Sequence, residues 1–307
     1  KGVSFVNDYL IADYIDHADM RSAIVFFNHS GEQLDVTLPD NLSGTISGFQ
    51  SVGDDAIMFI VTSYTQPVQY FSFDFTNNSL ELLWEEAIPR FNPNDYTEVS
   101  TNYESKDGTM VPITYSYKSS TKLNKDTPIF LYAYGGYNIS IRPSFTPKYV
   151  AWLEMGGVLA VANIRGGGEF GKAWHNAGRL GTKQNVFDDF LYASKFLESN
   201  DIGNRKSTVI SGRSNGGLLV GATLIQNPNY FGAALPAVGV MDMIRFTEFT
   251  EGWGWRGDYG YPILSQEDFH RNIEISPYHQ TKIGVCYSPT LTTTARRDDR
   301  VVPSHSY

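Results

Sequence analysis

A serine hydroxyl attacks a carbonyl only when a neighbouring base takes its proton, and one serine of this sequence stands where such chemistry is done. Ser214 is preceded by Gly212-Arg213 and followed by Asn215-Gly216, the pattern G-x-S-x-G. The two glycines remove side chains that would collide when a serine is forced into a tight corner between a strand and a helix. Such a corner pushes the hydroxyl outward. Acyl transfer also needs donors aimed at the oxyanion that develops, and the backbone N–H of Asn215, the residue after the serine, is one candidate. A second is expected from the loop after an early strand, where Tyr134 precedes Gly135-Gly136. A tyrosine at a strand end also serves simply as packing.

The base in turn needs an orienting acid, and α/β-hydrolases present the three in the chain order Ser, Asp or Glu, His. Asp298 and Asp299 follow the run Pro289 to Ala295, where the carboxyl end of the next strand would fall. With Arg296, Arg297 and Arg300 they equally read as a solvated charge cluster. The histidines are His17, His29, His175, His270, His279 and His305. Only His305 lies beyond Asp298, and seven residues are too few to reach back to the serine unless the loop doubles back. It is expected to be a loop or helix-start histidine, and the others to be structural. Taken literally, the constellation lacks its base.

The elements that would position these groups are legible. Thr208 to Ile210 are β-branched and predict a strand, while Leu218, Leu219, Ala222 and Ile225 have helical spacing. Residues 1 to about 88 predict short strands broken by turns: Tyr9 to Tyr14, Ala23 to Phe27, Leu34 to Leu38, Ala56 to Thr62 and Gln69 to Phe75. Such spacing suits a sandwich or propeller blades. A turn at Pro89 to Asn94 leads to a hairpin, Tyr96 to Tyr103 and Val111 to Tyr117. From there strand and helix alternate, with apolar strands at Pro128 to Tyr134 and Val158 to Asn163, a helix at Val186 to Ser199, the elbow, and a strand at Phe231 to Val240. The expected fold is α/β, a doubly wound, mostly parallel sheet with sites outside its strand ends.

Composition excludes other classes. The 307 residues are 41% hydrophobic and 19% charged, with a net charge of -9. Scattered Lys and Arg argue against a nucleic-acid surface, and no apolar run approaches the roughly 18 residues of a membrane span. The single cysteine, Cys286, permits no internal disulfide, fits a reducing compartment, and is expected as a buried structural thiol in its apolar context. The sequence starts at Lys1 without a signal-like segment, so a cytoplasmic protein is expected. Four N-x-S triplets, at Asn28, Asn41, Asn77 and Asn138, are discounted on that ground.

Six blocks in order carry a specific likeness: Tyr132-Ala-Tyr-Gly-Gly-Tyr-Asn-Ile-Ser, Gly157-Val-Leu-Ala-Val-Ala-Asn-Ile-Arg-Gly-Gly-Gly-Glu-Phe-Gly171, Lys183-Gln-Asn-Val-Phe-Asp-Asp-Phe, Ser214-Asn-Gly-Gly-Leu-Leu-Val, Val238-Gly-Val-Met-Asp-Met and Asp298-Asp-Arg-Val-Val-Pro. Together they resemble the prolyl oligopeptidase family of serine peptidases. The resemblance implies an α/β-hydrolase peptidase domain at 89–307, and it makes residues 1–88 the last blades of a seven-bladed β-propeller. Residue by residue it implies Ser214 as nucleophile, Asp298 as the acid, and the Tyr134 hydroxyl as an oxyanion donor beside the Asn215 amide. It implies Trp255 stacking on the substrate proline, with Tyr259, Val240 and Tyr137 lining the same pocket, and Arg300 holding a substrate carbonyl. Proline is an apolar ring without an N–H, so shape and aromatic stacking must select it.

The activity implied is hydrolysis of short peptides after proline through an acyl-enzyme, by a monomer when intact, without cofactor or metal and without nucleic-acid or membrane partners. A related hydrolase, a peptide macrocyclase or transpeptidase, and an inactive remnant are the alternatives. The sequence departs from the family pattern in places. Arg213 stands where glycine is common, Arg296-Arg297 replace an Asp-His pair, and the strand before them is threonine-rich, Leu291-Thr-Thr-Thr. The histidine-bearing loop would lie beyond Tyr307. The chain is therefore expected to be a fragment, inactive as written.

Overall fold

Alternation of apolar and polar residues shapes the first part of the chain. In the strand Ala56–Thr62, Ile57, Phe59 and Val61 are buried, and in Gln69–Asp74 the buried pair is Phe71 and Phe73. Period-two burial of this kind is what an antiparallel sheet with one face on a core requires. The computed structural model describes residues 2–16, 20–36, 38, 42 and 44–307; His17 and Asn41 lie outside the described residues.

Two compact units emerge from the packing: residues 1–100 with 116–120 and 142–155, and residues 101–115 with 121–141 and 156–307. The first holds a three-stranded antiparallel sheet, β1 (Gly2–Val6), β2 (Tyr9–Ile15) and β3 (Ser22–Phe27). It also holds a four-stranded antiparallel meander, β4 (Thr45–Ser51), β5 (Ala56–Thr62), β6 (Gln69–Asp74) and β7 (Ser79–Glu85). Val6, Ile11, Phe26, Ile46, Ile57, Phe59, Val61, Phe71 and Phe73 form its core. Four-stranded antiparallel sheets are the unit of propeller blades. The predicted strand over Leu34 to Leu38 does not form: among its described residues none is in a strand, and Leu34, Val36 and Leu38 instead pack against this core from an irregular segment. Only its start meets a sheet edge, where the Leu34 N–H donates to the Phe26 carbonyl of β3 at 2.8 Å; the Val36 N–H then turns back onto the Leu34 carbonyl at 3.0 Å, so the backbone does not run on along that edge.

The second unit holds the greater part of a six-stranded sheet. In chain order its strands are β8 (Tyr96–Glu104), β9 (Met110–Lys118), β10 (Ile129–Tyr132), β11 (Val158–Ala162), β12 (Thr208–Arg213) and β13 (Ala233–Ala237), arranged β13-β12-β10-β11-β9-β8. β10 pairs in parallel with both β11 and β12, and β12 with β13. All five residues of β11 are buried, as expected of a strand covered on both faces. Among the described residues the α-helices are α1 (Pro147–Glu154), α2 (Lys172–Asn176), α3 (Gln184–Ser199), α4 (Asn215–Gln226), α5 (Arg256–Tyr259), α6 (Gln266–Ile275) and α7 (Pro277–Gln280). α3 buries Val186, Phe190, Ala193 and Leu197, the stripe its spacing predicts. α4 buries ten of its residues from Asn215 to Leu224, so it is a central element.

The chain passes from β10 to β11 on one side and then to β12 on the other, a topological switch point between β10 and β12. Ligand sites of doubly wound sheets form outside the carboxyl ends of strands at such a point. Tyr134 follows β10 and Ser214 follows β12, so the topology delivers both to one crevice. Two expectations are corrected here. The strand over Pro289 to Ala295 shrinks to isolated parallel bridges of Thr290 with Ala234 and Thr293 with Ala237. Cys286 is exposed, not buried. It lies in an irregular loop turned by Gly284 at φ +81°, where Ile283 is fully exposed, so its apolar neighbours face solvent with it. Among the described residues no helix is long and apolar enough to cross a membrane.

Candidate active site

Ser214 closes β12 and opens α4 with φ 58° and ψ −120°, a conformation that costs a non-glycine residue about 1–3 kcal/mol and persists only where the surroundings impose it. They do so by hydrogen bonds on both sides. The Ser214 N–H donates to the Ala237 carbonyl at 2.9 Å, and the Ser214 carbonyl accepts from the N–H groups of Gly217 at 2.8 Å and Leu218 at 3.1 Å. The first turn of α4 contributes N–H groups without intrahelical partners, and Asn215, at its first position, is buried. Tyr134 lines the same cavity as Ser214, and burial pushes its phenol above the ordinary range, with Ser214 and Arg300 working against that shift.

Ser214 opens onto a cavity of about 370 Å³ whose walls include Tyr134, Tyr137, Val240, Trp255, Tyr259 and Arg300. The structure thus gathers the predicted nucleophile, the predicted hydroxyl donor and all the predicted pocket residues around one space. Ile139, Glu251 and Gly254 also line it; the sequence assigned no role to any of them, although Ile139 lies in the block that begins at Tyr132. The aromatic wall is braced from behind. Phe246, fully buried, stacks on Trp255 with centroids 6.4 Å apart at 12° and meets Tyr259 edge-on at 5.5 Å and 87°. Tyr137 stands edge-on to Tyr259 at 5.7 Å and 83°, the geometry that aromatic quadrupoles favour.

Two polar side chains beyond the predicted set hold this wall. The buried Asp258 accepts from the Tyr137 N–H at 2.7 Å with one oxygen and meets Nε2 of His175 at 2.9 Å with the other. Asp258 lies inside the aromatic block around Trp255, which was a usable signal; His175, 83 residues away in sequence, offered none.

Asp298 is half-buried, and its Oδ1 accepts from the N–H groups of Arg300 at 3.1 Å and Val301 at 2.9 Å. It therefore shapes the turn that carries Arg300 to the cavity rim. The Thr250 hydroxyl donates to the Asp299 carbonyl, tying that turn to the segment before Trp255. Arg213 is exposed. His305 sits in a different cavity, with Leu224, Met241 and Pro277, on a short 3-10 turn. Its Nδ1 accepts from the Asp242 N–H at 3.2 Å and its ring is edge-on to Phe249 at 5.0 Å. Burial holds it at a pKa of about 4. Among the described residues no histidine lines the Ser214 cavity, and no group of three or more His, Cys, Asp or Glu is placed to hold a metal ion.

A serine held at a strained strand-to-helix corner, at the switch point of a mostly parallel sheet, defines an α/β-hydrolase. Comparison with known proteins narrows the class. The family model of the prolyl oligopeptidases matches residues 143–307, and the chain belongs to that family. It is 43% identical over 266 residues to the prolyl endopeptidase of Elizabethkingia meningoseptica, a match that takes in 86% of this chain and 38% of that protein. A solved structure from a study of two prolyl endopeptidases superposes on the whole chain with a TM-score of 0.93 at 39% identity, covering 45% of that structure. Prolyl oligopeptidase B of Galerina marginata, bound to a 35-residue hydrolysis and macrocyclization substrate, superposes on the whole chain with a TM-score of 0.94 at 34% identity, covering 43% of that structure. The chain thus spans about two-fifths of the length of the relatives it matches.

Proposed function

We propose that the chain carries the catalytic serine, the oxyanion site and the proline pocket of a serine endopeptidase that cleaves short peptides on the carboxyl side of proline. Residues 1–88 are then the last propeller blades and 89–307 the peptidase domain. In this reading Ser214 attacks the carbonyl of the proline residue, and the oxyanion is met by the Asn215 N–H and the Tyr134 hydroxyl. Trp255, Tyr259, Tyr137 and Val240 receive the proline ring, and Arg300 holds a carbonyl upstream of it. The C–N bond breaks as the leaving amine takes a proton, and water then releases the acyl group from Ser214. Asp298 orients the base. The base is assigned to none of the histidines described here, so turnover is proposed for the natural full-length polypeptide and not for this stretch alone. Cytoplasmic location, a monomeric state and the absence of cofactors complete the proposal; a single unpaired cysteine agrees with a reducing compartment.

One observation carries this reading: the strained Ser214 and the Tyr134 side chain face the same cavity as the braced aromatic wall. A serine-directed fluorophosphonate applied to the full-length polypeptide should label Ser214, with cleavage after proline that drops in Trp255→Ala. Equal labelling of Ser214→Ala would end the proposal. Resemblance to a structure bound to a macrocyclization substrate supports a second reading, in which a peptide amine replaces water as acyl acceptor. Mass spectrometry of the products separates the two, since a cyclised or transferred peptide lacks the added water.

A further inference from the structure

The most deeply placed cation near Ser214 has no part in the chemistry above. Lys183, just before α3, is 3% exposed. Its Nζ donates to the Gly135 carbonyl at 3.0 Å and to Oδ1 of Asn215 at 3.0 Å. That same Oδ1 accepts from the Tyr259 hydroxyl at 2.8 Å, while the Asn215 side-chain amide donates to the Tyr134 carbonyl. The Asn215 side chain is therefore held at both ends. The space for it exists only because residue 136 is glycine: a Cβ there would lie 2.6 Å from Nδ2 of Asn215.

These contacts join the two arms of the oxyanion site. Asn215 supplies the backbone amide, and Tyr134 supplies the hydroxyl; the Asn215 side chain and Lys183 lock the backbone of one to the backbone of the other. We propose that Lys183 is a positioning residue for the oxyanion site, acting through the Asn215 side chain to fix both donors relative to Ser214. The proposal rests on the serine-peptidase reading. Burying an ammonium is costly unless its donors are used, and here two of the three are spent on the oxyanion scaffold. The groups that face Nζ are the Gly135 carbonyl from the loop after β10, the Asn215 amide from α4, and, from α5, the Tyr259 ring at 5.5 Å and the charge of Asp258. Asp258 is itself engaged by His175. Burial lowers the Lys183 pKa to about 8, with Asp258 opposing.

The test compares two ligands on the full-length polypeptide: a blocked dipeptide ending in prolinal, whose aldehyde forms a tetrahedral adduct with Ser214, and the same dipeptide ending in pyrrolidine, which fills the pocket without reaching the oxyanion site. The aldehyde should bind wild-type protein at least about 10²-fold more tightly, as adducts resembling a transition state do. In Lys183→Met that advantage should fall about 10- to 100-fold, the cost of a misplaced donor, while pyrrolidine affinity changes less than about 3-fold. In Asn215→Ala, which keeps the backbone amide, the advantage should fall likewise, and adding Lys183→Met should then change nothing further, because the lysine acts through that side chain. The wild-type advantage should also decline as pH rises through about 8, and stay flat in Lys183→Met. An unchanged aldehyde advantage in Lys183→Met, an equal loss for both ligands, or full additivity with Asn215→Ala would overturn the positioning role alone. A wild-type protein that binds the aldehyde no better than the pyrrolidine would sink the serine reading and the positioning role with it.

Discussion

A Cβ placed on Gly212 would lie 2.2 Å from the carbonyl oxygen of Gly216 and 2.5 Å from its carbonyl carbon. The backbone on the two sides of Ser214 is in direct contact, which is how the chain reverses from β12 into α4 within three residues. Both obstructing atoms are main chain, so no side-chain rotation relieves a substitution. Gly212→Ala should therefore open the corner, lower stability by roughly 1–3 kcal/mol in the manner of overpacked cores, and abolish fluorophosphonate labelling of Ser214. Denaturant unfolding and labelling of the same sample check this; full labelling at wild-type stability would contradict the corner geometry.

Trp255 is half-buried, with one face on Phe246 and an edge of the Ser214 cavity beside it. Trp255→Ala removes the stacking surface and leaves Phe246 partly uncovered. The lost apolar contact is worth about 1.5–3 kcal/mol, so kcat/KM for substrates with proline at the cleavage site should fall roughly 10- to 100-fold. The loss should appear mainly in KM. Trp255→Phe, which keeps a ring over Phe246, should recover most of it. Steady-state kinetics with a proline and an alanine substrate decide the matter, because the alanine substrate should be nearly indifferent to both changes.

Asp298 does two things that can be separated. Its Oδ1 accepts the N–H groups of Arg300 and Val301, and its negative charge is what an orienting acid would use. Asn accepts the same two backbone donors, so Asp298→Asn should melt within a few degrees of wild type with Arg300 still at the rim. Its kcat should nevertheless fall about 10³- to 10⁴-fold, the effect of losing the acid that fixes a catalytic imidazole. Asp298→Ala should lose stability as well as activity. Thermal melts beside kcat for both variants test the separation, and a fully active Asp298→Asn would remove Asp298 from the chemistry.

What sequence alone revealed follows how local each cause is. The elbow was legible because strand, turn and helix lie within twenty residues and the glycines carry a steric reason. The parallel core was legible because β10 and β11 are unbroken apolar runs. β7 escaped because Leu82, Leu83 and Trp84 are all exposed and break the alternation, and β4 because Gly48, at φ +70°, interrupts it beside a bulge. Cys286 was misjudged because apolar neighbours predict burial only when an element covers them, and an irregular loop does not. The roles of Trp255 and Arg300 came from the family resemblance and not from spacing. Lys183 and His175 could not be found, since each matters through partners tens of residues away: Asn215 and Gly135 for one, Asp258 for the other.

His305 predicts an acid-sensitive fold. Its ring is 5% exposed, its Nδ1 accepts from the Asp242 N–H, and its ring packs edge-on against Phe249. Burial lowers its pKa from the ordinary 6.5 to about 4; the Asp242 charge works against that shift and the Arg245 charge with it. Between those values the unfolded chain binds a proton that the folded chain refuses, so the stabilising contribution is complete above about pH 6.5 and is lost as pH falls towards 4. The full difference amounts to about 3 kcal/mol. Because carboxylates titrate in the lower part of the same window, the comparison must be with a variant. His305→Asn keeps an acceptor near the Nδ1 position for the Asp242 N–H but does not titrate. The full-length polypeptide and this variant, unfolded by denaturant from pH 7.5 to 4.5, should differ in slope, with wild type losing stability more steeply on acidification. Parallel curves would show that His305 accepts its proton in the folded state as readily as in the unfolded one, and the buried, neutral histidine inferred here would be wrong.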